Sequence, residues 1–257
     1  MRVDILPMLS DNYSFLVSCE KSKKAAIVDP PEASPVIAKV KELGLDLVAV
    51  FCTHHHWDHI GGISALTPKF DLAVYGHESD KDRSKLSHTL EDGETFKLGE
   101  LEVKVHHVPG HTTGALAYRV GDAIFVGDAL FGAGCGRLFE GDAETMYKSL
   151  NETLAAAVED DTKIYFAHEY TQHNLNFALT VDGENPVLKT RIAQVAALRA
   201  DNQLSVPSTW AEELATNPFL RCDDLAIKGR LKARFADEPL DEAVAVFAKL
   251  RELRNDF

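Results

Sequence analysis

Four histidines and an aspartate crowd into the stretch Thr53-His54-His55-His56-Trp57-Asp58-His59-Ile60-Gly61-Gly62, directly behind the apolar run Leu47 to Cys52. A run of that kind reads as a buried strand, and the end of such a strand is where a rigid scaffold passes into a loop that can carry chemistry. Side chains two apart on an extended segment point the same way, so His54 and His56 can grip one ion. Asp58 and His59 then lie where the chain turns towards a helix, beside that ion and within reach of a second. Gly61 and Gly62 let the backbone turn tightly without a Cβ clash. A loop kept merely for solubility has no use for metal-type side chains at alternating positions behind a buried strand.

One cluster leaves each ion short of ligands, so more must come from elsewhere. His111 lies in Val108-Pro109-Gly110-His111-Thr112-Thr113-Gly114, Asp128 ends the run Ile124 to Gly127, and His168 ends the run Ile164 to Ala167. Each is a metal-type residue at a strand end, where core packing can hold it rigidly. Taken alone, each is an ordinary polar residue capping a strand. Together with the first cluster they make two nearly complete coordination sets. Of the other histidines, His77, His88 and His173 read as surface residues, while His55, His106 and His107 lie beside the motifs at positions to which the pattern assigns no ligand role.

The elements that must position these residues follow from periodicity. Short runs rich in Val, Ile, Phe and Tyr predict strands at Tyr13 to Ser18, Ala25 to Asp29, Leu47 to Thr53, Leu72 to Gly76, Leu101 to Pro109, Ala115 to Val120, Ala123 to Asp128 and Lys163 to Ala167. A helix is expected from Pro35 to Leu43, capped by Ser34 and ended by Gly44, and another over about Ala143 to Val158. Too few strands have a crossover helix between them for a doubly wound sheet, which leaves a sheet-on-sheet core flanked by helices, an α+β fold. After His168 only helical patterns remain, at Thr171 to Leu179, Glu184 to Asp201, Thr209 to Thr216 and Leu240 to Leu253. The change of texture divides a domain over 1–170 from a helical domain over 171–257.

Composition narrows the function. The chain has 257 residues, 45% apolar and 26% charged, a globular balance that excludes disordered and fibrous classes. Its net charge is -13, from 40 acidic against 27 basic residues, so phosphate backbones and anionic membranes would be repelled, and an anionic ligand needs a local cationic patch. No apolar run approaches the length of a membrane span, and the amino terminus carries no charged-then-apolar leader. Cys19, Cys52, Cys135 and Cys222 are too widely spaced for a metal knuckle or redox pair. A monomer in the reducing cytoplasm is expected, with neither nucleic acid nor membrane as partner.

The histidine and aspartate pattern resembles the metallo-β-lactamase superfamily: His-x-His-x-Asp-His, then a later His, an Asp and a final His. The resemblance implies an αββα sandwich with the site at one end. It implies His54, His56 and His111 on one ion, Asp58, His59 and His168 on the other, Asp128 bridging them, and Asp29 orienting a ligand histidine. Asp58 and Asp128 are then the carboxylates expected at the reaction itself. Two divalent ions about 3.5–4 Å apart can hold a water between them, bring its pKa from 15.7 towards 7, and polarise the carbonyl it attacks. Zinc is expected first, but iron or manganese suits the same ligands. No Gly-x-Ser-x-Gly element or cysteine–histidine pairing points to a covalent nucleophile.

Substrate must be read outside the metal motif. Gly134-Cys135-Gly136-Arg137-Leu138-Phe139-Glu140-Gly141, the run His168-Glu169-Tyr170-Thr171 with Asn174-Leu175, Asn217-Pro218-Phe219-Leu220-Arg221, and Leu250-Arg251-Glu252-Leu253-Arg254 look like the glyoxalase II family, whose members are hydroxyacylglutathione hydrolases. That likeness spans essentially the whole chain. It implies hydrolysis of S-D-lactoylglutathione to D-lactate and glutathione, the second step of methylglyoxal disposal. It also implies a glutathione site formed by Arg137, Tyr170, Arg251 and Arg254. Arg137 stands where the family often has Lys, and Phe139 where it often has Tyr, so one hydroxyl contact is lost. Cys135, near Asp128, reads as a packed thiol. A persulfide dioxygenase using one iron, and a protein that has kept the fold without turnover, are the competing readings. The complete second set of Asp58, His59 and His168 argues against both.

Overall fold

Two six-stranded sheets carry the chain in the structure, a computed structural model that describes residues 1–257. The first sheet runs in the order β1 (Arg2–Met8), β2 (Asn12–Ser18), β3 (Lys24–Val28), β4 (Asp46–Phe51), β5 (Ala73–His77) and β6 (His88–Leu90). It is antiparallel from β1 to β3 and parallel from β3 to β6. The second begins as an antiparallel meander of β7 (Thr95–Leu98), β8 (Leu101–His107), β9 (Leu116–Val120) and β10 (Ala123–Gly127). A small hairpin, β11 (Leu130–Phe131) with β12 (Gly134–Cys135), follows. β13 (Lys163–Phe166) then returns parallel to β10, and β14 (Ser208–Thr209) pairs with β13 at the edge.

Alternation along the strands sorts the side chains into layers. Phe15 and Val17 of β2, Val28 of β3 and Phe51 of β4 meet Tyr118, Phe125 and Phe166 of the second sheet in one buried cluster of 43 residues. Leu16, Ile27 and Val50 point the other way, into a cluster of 14 beneath the helices Ala33–Leu43 and Ile63–Leu66. Truncating a core ring such as Phe15 or Phe125 to Ala should cost about 3–5 kcal/mol, enough to loosen the strand ends that carry the site. Helical turns over Ala143–Ala157 lie against the second sheet. The architecture is the αββα sandwich with a helical C-terminal region.

Local details depart from expectation where tertiary packing decides. The first helix starts at Ala33, with Glu32 at the cap and no side-chain bond there, so Ser34 is not its cap; Pro35 still falls in the first turn, where no N–H is needed. Gly44 ends it at φ +60° with its N–H turned back on the last carbonyls, as the sequence implies. The second expected helix is widened into a π-helical turn at Ser149–Leu154. The tail contains a strand, β14, and an unexpected helix at Leu225–Arg234 that buries only Ile227 and Leu231, too thin an apolar stripe to read from sequence. Phe177, Phe219, Phe247 and Leu250 of the tail belong to the same buried cluster as the two sheets. No helix is long and apolar enough to cross a membrane.

Candidate metal centre

Five candidate ligands sit just past a strand end or in a strand-to-strand turn: His54 and His56 after β4, His111 between β8 and β9, Asp128 after β10 and His168 after β13; Asp29, behind them, follows β3. Asp58 and His59 occupy the short helix Trp57–Ile60. The first sheet therefore supplies one part of the cluster and the second sheet the other.

The donor atoms converge. His54 Nε2 lies 3.0 Å from His56 Nδ1, and His111 Nε2 is 3.1 Å from the same His56 atom and 3.4 Å from Asp128 Oδ2. The other oxygen of Asp128, Oδ1, is 3.5 Å from His59 Nε2 and 3.4 Å from His168 Nε2. Asp58 Oδ2 stands 3.5 Å from both of those nitrogens. Asp128 thus turns one oxygen to each set. Ligands bound at 2.0–2.2 Å in a tetrahedron stand about 3.3–3.6 Å apart, which the 3.4–3.5 Å separations around Asp128 and Asp58 match, while His56 stands closer, at 3.0 and 3.1 Å from His54 and His111, and must spread slightly around an ion. His59 Nε2 and Asp128 Oδ1 are buried with no hydrogen-bond partner, an expensive arrangement that a shared cation would resolve.

The opposite nitrogens of four of the five histidines are fixed. His54 Nδ1 bonds Thr53 Oγ1 at 3.0 Å, and that hydroxyl donates to Asp29 Oδ2 at 2.6 Å, so the histidine carries its proton on Nδ1 and turns a lone pair inward. His59 Nδ1 meets Asp29 Oδ2 at 3.0 Å, His111 Nδ1 donates to the Arg137 carbonyl at 2.8 Å, and His168 Nδ1 meets Asp11 Oδ1 at 2.8 Å. Asn12 Nδ2 donates to Asp58 Oδ2 at 3.0 Å. Such partners set the tautomer and ring orientation of a metal-binding histidine. Asp29 orients His59 and, through Thr53, His54. Asp11 and Asn12 were not read from sequence; their only signal is a polar turn ahead of an otherwise apolar strand, far along the chain from the groups they hold.

Electrostatics separates the two sets. Burial, then the neighbouring imidazoles, holds His54 well below the usual histidine range and His56 down to about 4, while burial also lowers His111. These three are neutral bases with lone pairs available. His59 behaves oppositely: burial disfavours its charge, but the carboxylates of Asp128 and Asp29 outweigh it and raise the ring well above its ordinary value. The second set therefore attracts a cation strongly.

A cavity of about 420 Å³ opens from His111 and Asp128 to Arg137, Tyr170, Arg251 and Arg254. Arg251 is buried, 4% exposed, and its Nη1 donates to the Cys135 carbonyl at 2.7 Å. Arg254 donates from Nε and Nη2 to Asn174 Oδ1 at 3.1 and 2.9 Å. Neither is a solvated helix face, and neither is paired with a carboxylate. Burial, and secondarily Asp11, Asp128 and Asp58, pushes the Tyr170 phenol up to about 12, so it stays a hydrogen-bond donor at neutral pH. Burial likewise raises the Cys135 thiol despite Arg251, leaving it an uncharged lining group. Phe139 is exposed at the mouth with its ring against His56 and His111. His173, expected on the surface, lines this cavity. His55 turns away from the centre to Asp80, His107 bonds the Thr113 carbonyl, and His106 is buried on β8.

Residues 9–168 match the family described as Metallo-beta-lactamase superfamily, and residues 169–257 the one described as Hydroxyacylglutathione hydrolase C-terminus. A hydroxyacylglutathione hydrolase from Synechococcus sp. is 46% identical over 261 residues, covering 100% of both chains. This chain belongs to the hydroxyacylglutathione hydrolase family. Among solved structures, ETHE1 from Myxococcus xanthus superposes with a TM-score of 0.70 at 26% identity, covering 98% of this chain and 90% of that one. A protein described as TTHA1623 in a di-iron-bound form does so with a TM-score of 0.53 at 26% identity, covering 65% and 92%. For this hydroxyacylglutathione hydrolase family member the two family matches meet between His168, in the metal cluster, and Glu169, whose carboxylate accepts hydrogen bonds from Tyr13 and Ser205.

Proposed function

We propose that the chain hydrolyses S-D-lactoylglutathione and related 2-hydroxyacyl thioesters of glutathione to the hydroxy acid and free thiol, closing the disposal of methylglyoxal. The observation that carries this reading is a single cavity lined both by His111 and Asp128 of the metal cluster and by Arg137, Arg251 and Arg254. Thioester cleavage and recognition of an anionic tail need both kinds of lining at once.

His54, His56 and His111 would hold one ion, Asp58, His59 and His168 the second, with Asp128 shared. Bound there, two divalent ions supply Lewis acidity and a lowered pKa for water. The chain's own contribution is positional: Asn12 fixes the Asp58 oxygen, Asp29 and Asp11 fix two histidines, and Phe139 and Tyr170 wall the approach. A thiolate is a moderately good leaving group, free pKa about 8.5, so no dedicated acid is required. The arginines take the carboxylates of the peptide tail, and Tyr170 donates to its amides. In this division 1–170 carries the reaction and 171–257 the tail-binding arginines Arg251 and Arg254. Zinc is the ion we put first, with iron and manganese as alternatives. A monomer in the cytoplasm suits four buried, unpaired thiols.

The test is to load the purified chain with zinc, iron or manganese in turn, measure ions per chain, and assay lactoylglutathione. Two ions per chain with turnover supports the reading; a chain that binds two ions but leaves the thioester intact refutes the substrate, and oxygen uptake with glutathione persulfide would replace it.

A further inference from the structure

His55 stands between two ligand histidines yet points away from them. Its Nδ1 donates to Asp80 Oδ1 at 2.9 Å, and its Nε2 accepts from Arg83 Nη1 at 2.8 Å. The same guanidinium donates to Glu140 Oε1 at 3.2 Å, and Glu140 Oε2 accepts from the Thr113 N–H at 2.8 Å and its hydroxyl at 3.0 Å. Asp80 is 2% exposed, and its Oδ2 has no partner. A buried carboxylate with an orphaned oxygen is costly to keep for stability alone. Asp80 also lies close against the His111 loop: at Gly114 an added Cβ would come within 2.9 Å of its Oδ2.

The path has a particular destination. His54 and His56 hang from β4 in the first sheet, whereas His111 hangs between β8 and β9 in the second. Glu140 belongs to the loop whose Arg137 carbonyl holds His111 Nδ1 and whose Phe139 covers His56 and His111. We propose that Asp80, His55, Arg83 and Glu140 form a brace that joins the two sheets' contributions to the His54, His56 and His111 set, with His55 as its positioning residue. The brace has no contact with Asp58 or His168, so it acts on one ion site and not the other. It rests on the metal-centre reading above.

Because His55 sits between ligands, its outer partners make the cleaner variants. Wild type, Arg83→Ala and Glu140→Ala are loaded with Zn²⁺ and stripped with graded chelator while zinc per chain and melting temperature are followed. In both variants one ion should leave at about three- to tenfold lower chelator concentration, below the 10–100-fold typical of a direct ligand partner because the brace acts through a further residue. The other ion and the melting temperature of the metal-free chain should be unchanged. The shift should persist in a His168→Ala background and vanish in a His54→Ala background. The double variant should add little to Glu140→Ala alone, since both break one path, and Glu140→Gln should recover part of the loss. Release curves that superimpose on wild type, or an equal shift of both ions, overturn the brace. A wild type that takes up no zinc overturns the metal centre and the brace together, whereas two tightly held ions with unaffected variants overturn the brace alone.

Discussion

The sheet ends and the helical tail both fix charged side chains inside an acidic protein, and they do so with opposite accounts of charge. At the sheet ends Asp29, Asp58 and Asp128 gather around histidines, four of which are oriented from behind by another side chain or a carbonyl. In the cavity beside them Arg137, Arg251 and Arg254 gather without a carboxylate among them, the latter two held by a backbone carbonyl and by Asn174. The donors of the first region suit cations, those of the second an anion. The chain's net charge of -13 therefore says nothing about either ligand, because each is selected by a local excess of the opposite sign.

The contrast breaks most completely at Asp128, which faces both ion sets and lines the cavity. Asp128→Ala should lower turnover by about a thousandfold or more and remove binuclear occupancy, since a two-metal clamp loses its shared ligand. Metal content and turnover on the purified variant check this; two ions with near-normal activity would show that Asp128 does not bridge. Next in size are the residues behind the ligands. Asp29→Asn should weaken metal binding by about 10–100-fold, whereas Asp11→Asn should cost only about threefold to tenfold, because its partner bond is the more solvent-exposed one. Chelator competition on the two variants ranks them, and equal losses would mean that burial does not set the strength of such support here.

The two regions were unequally legible in the sequence. His54, His56, Asp58, His59, His111, Asp128 and His168 could be picked out because each follows an apolar run whose end is visible locally, and strand ends are where rigid placement and exposure coincide. Their partners could not. Asp11 meets His168 across 157 positions and Asn12 meets Asp58 across 46, contacts made by the order of strands within the sheets and not by any local period. The hairpin β11–β12 was missed because two-residue strands carry no alternation to detect. Arg251 and Arg254 were legible only by resemblance, since two arginines three apart on a terminal helix read on their own as a solvated face. Arg251 is buried over the Phe219 ring, in the part of the tail that packs Phe219, Phe247 and Leu250 into the sandwich core, while Arg254 stays half-buried and is held by Asn174.

That packing divides the two arginines. Arg254→Ala should raise KM for lactoylglutathione by about ten- to a hundredfold with kcat little changed, as for a charge-assisted bond of roughly 1.5–3 kcal/mol made equally in ground and transition states. Arg251→Ala should raise KM similarly but also lower the melting temperature, because it strands the Cys135 carbonyl and leaves a cavity beside Phe219. Removing both should cost less than the product of the single effects if they share one carboxylate. A thioester lacking the glycine residue should be indifferent to either substitution. Loss of kcat with KM retained would place these arginines outside tail recognition.

Among the cavity residues the smallest effect belongs to Tyr170, which sits on the seam between the regions with its ring stacked on His168 at 4.8 Å. Tyr170→Phe should raise KM by about threefold to tenfold, the loss of one neutral hydrogen bond, and leave metal content unchanged. The pH dependence sharpens the assignment. Burial and three nearby aspartates move the phenol from about 10 to about 12 in the folded chain, so the folded state binds more protons than the unfolded one between those values. Stability from this group is therefore fully present below about pH 10 and lost as pH rises through about 12; Tyr170→Phe should flatten that alkaline fall. Substrate affinity should show no tyrosine limb between pH 7 and about 10, because the donor keeps its proton throughout. A wild-type KM that rises below pH 10 and ceases to do so in the phenylalanine variant would mean that the hydroxyl ionises in the working range, and the aspartates at the seam would then be shielded from it by the bound cations.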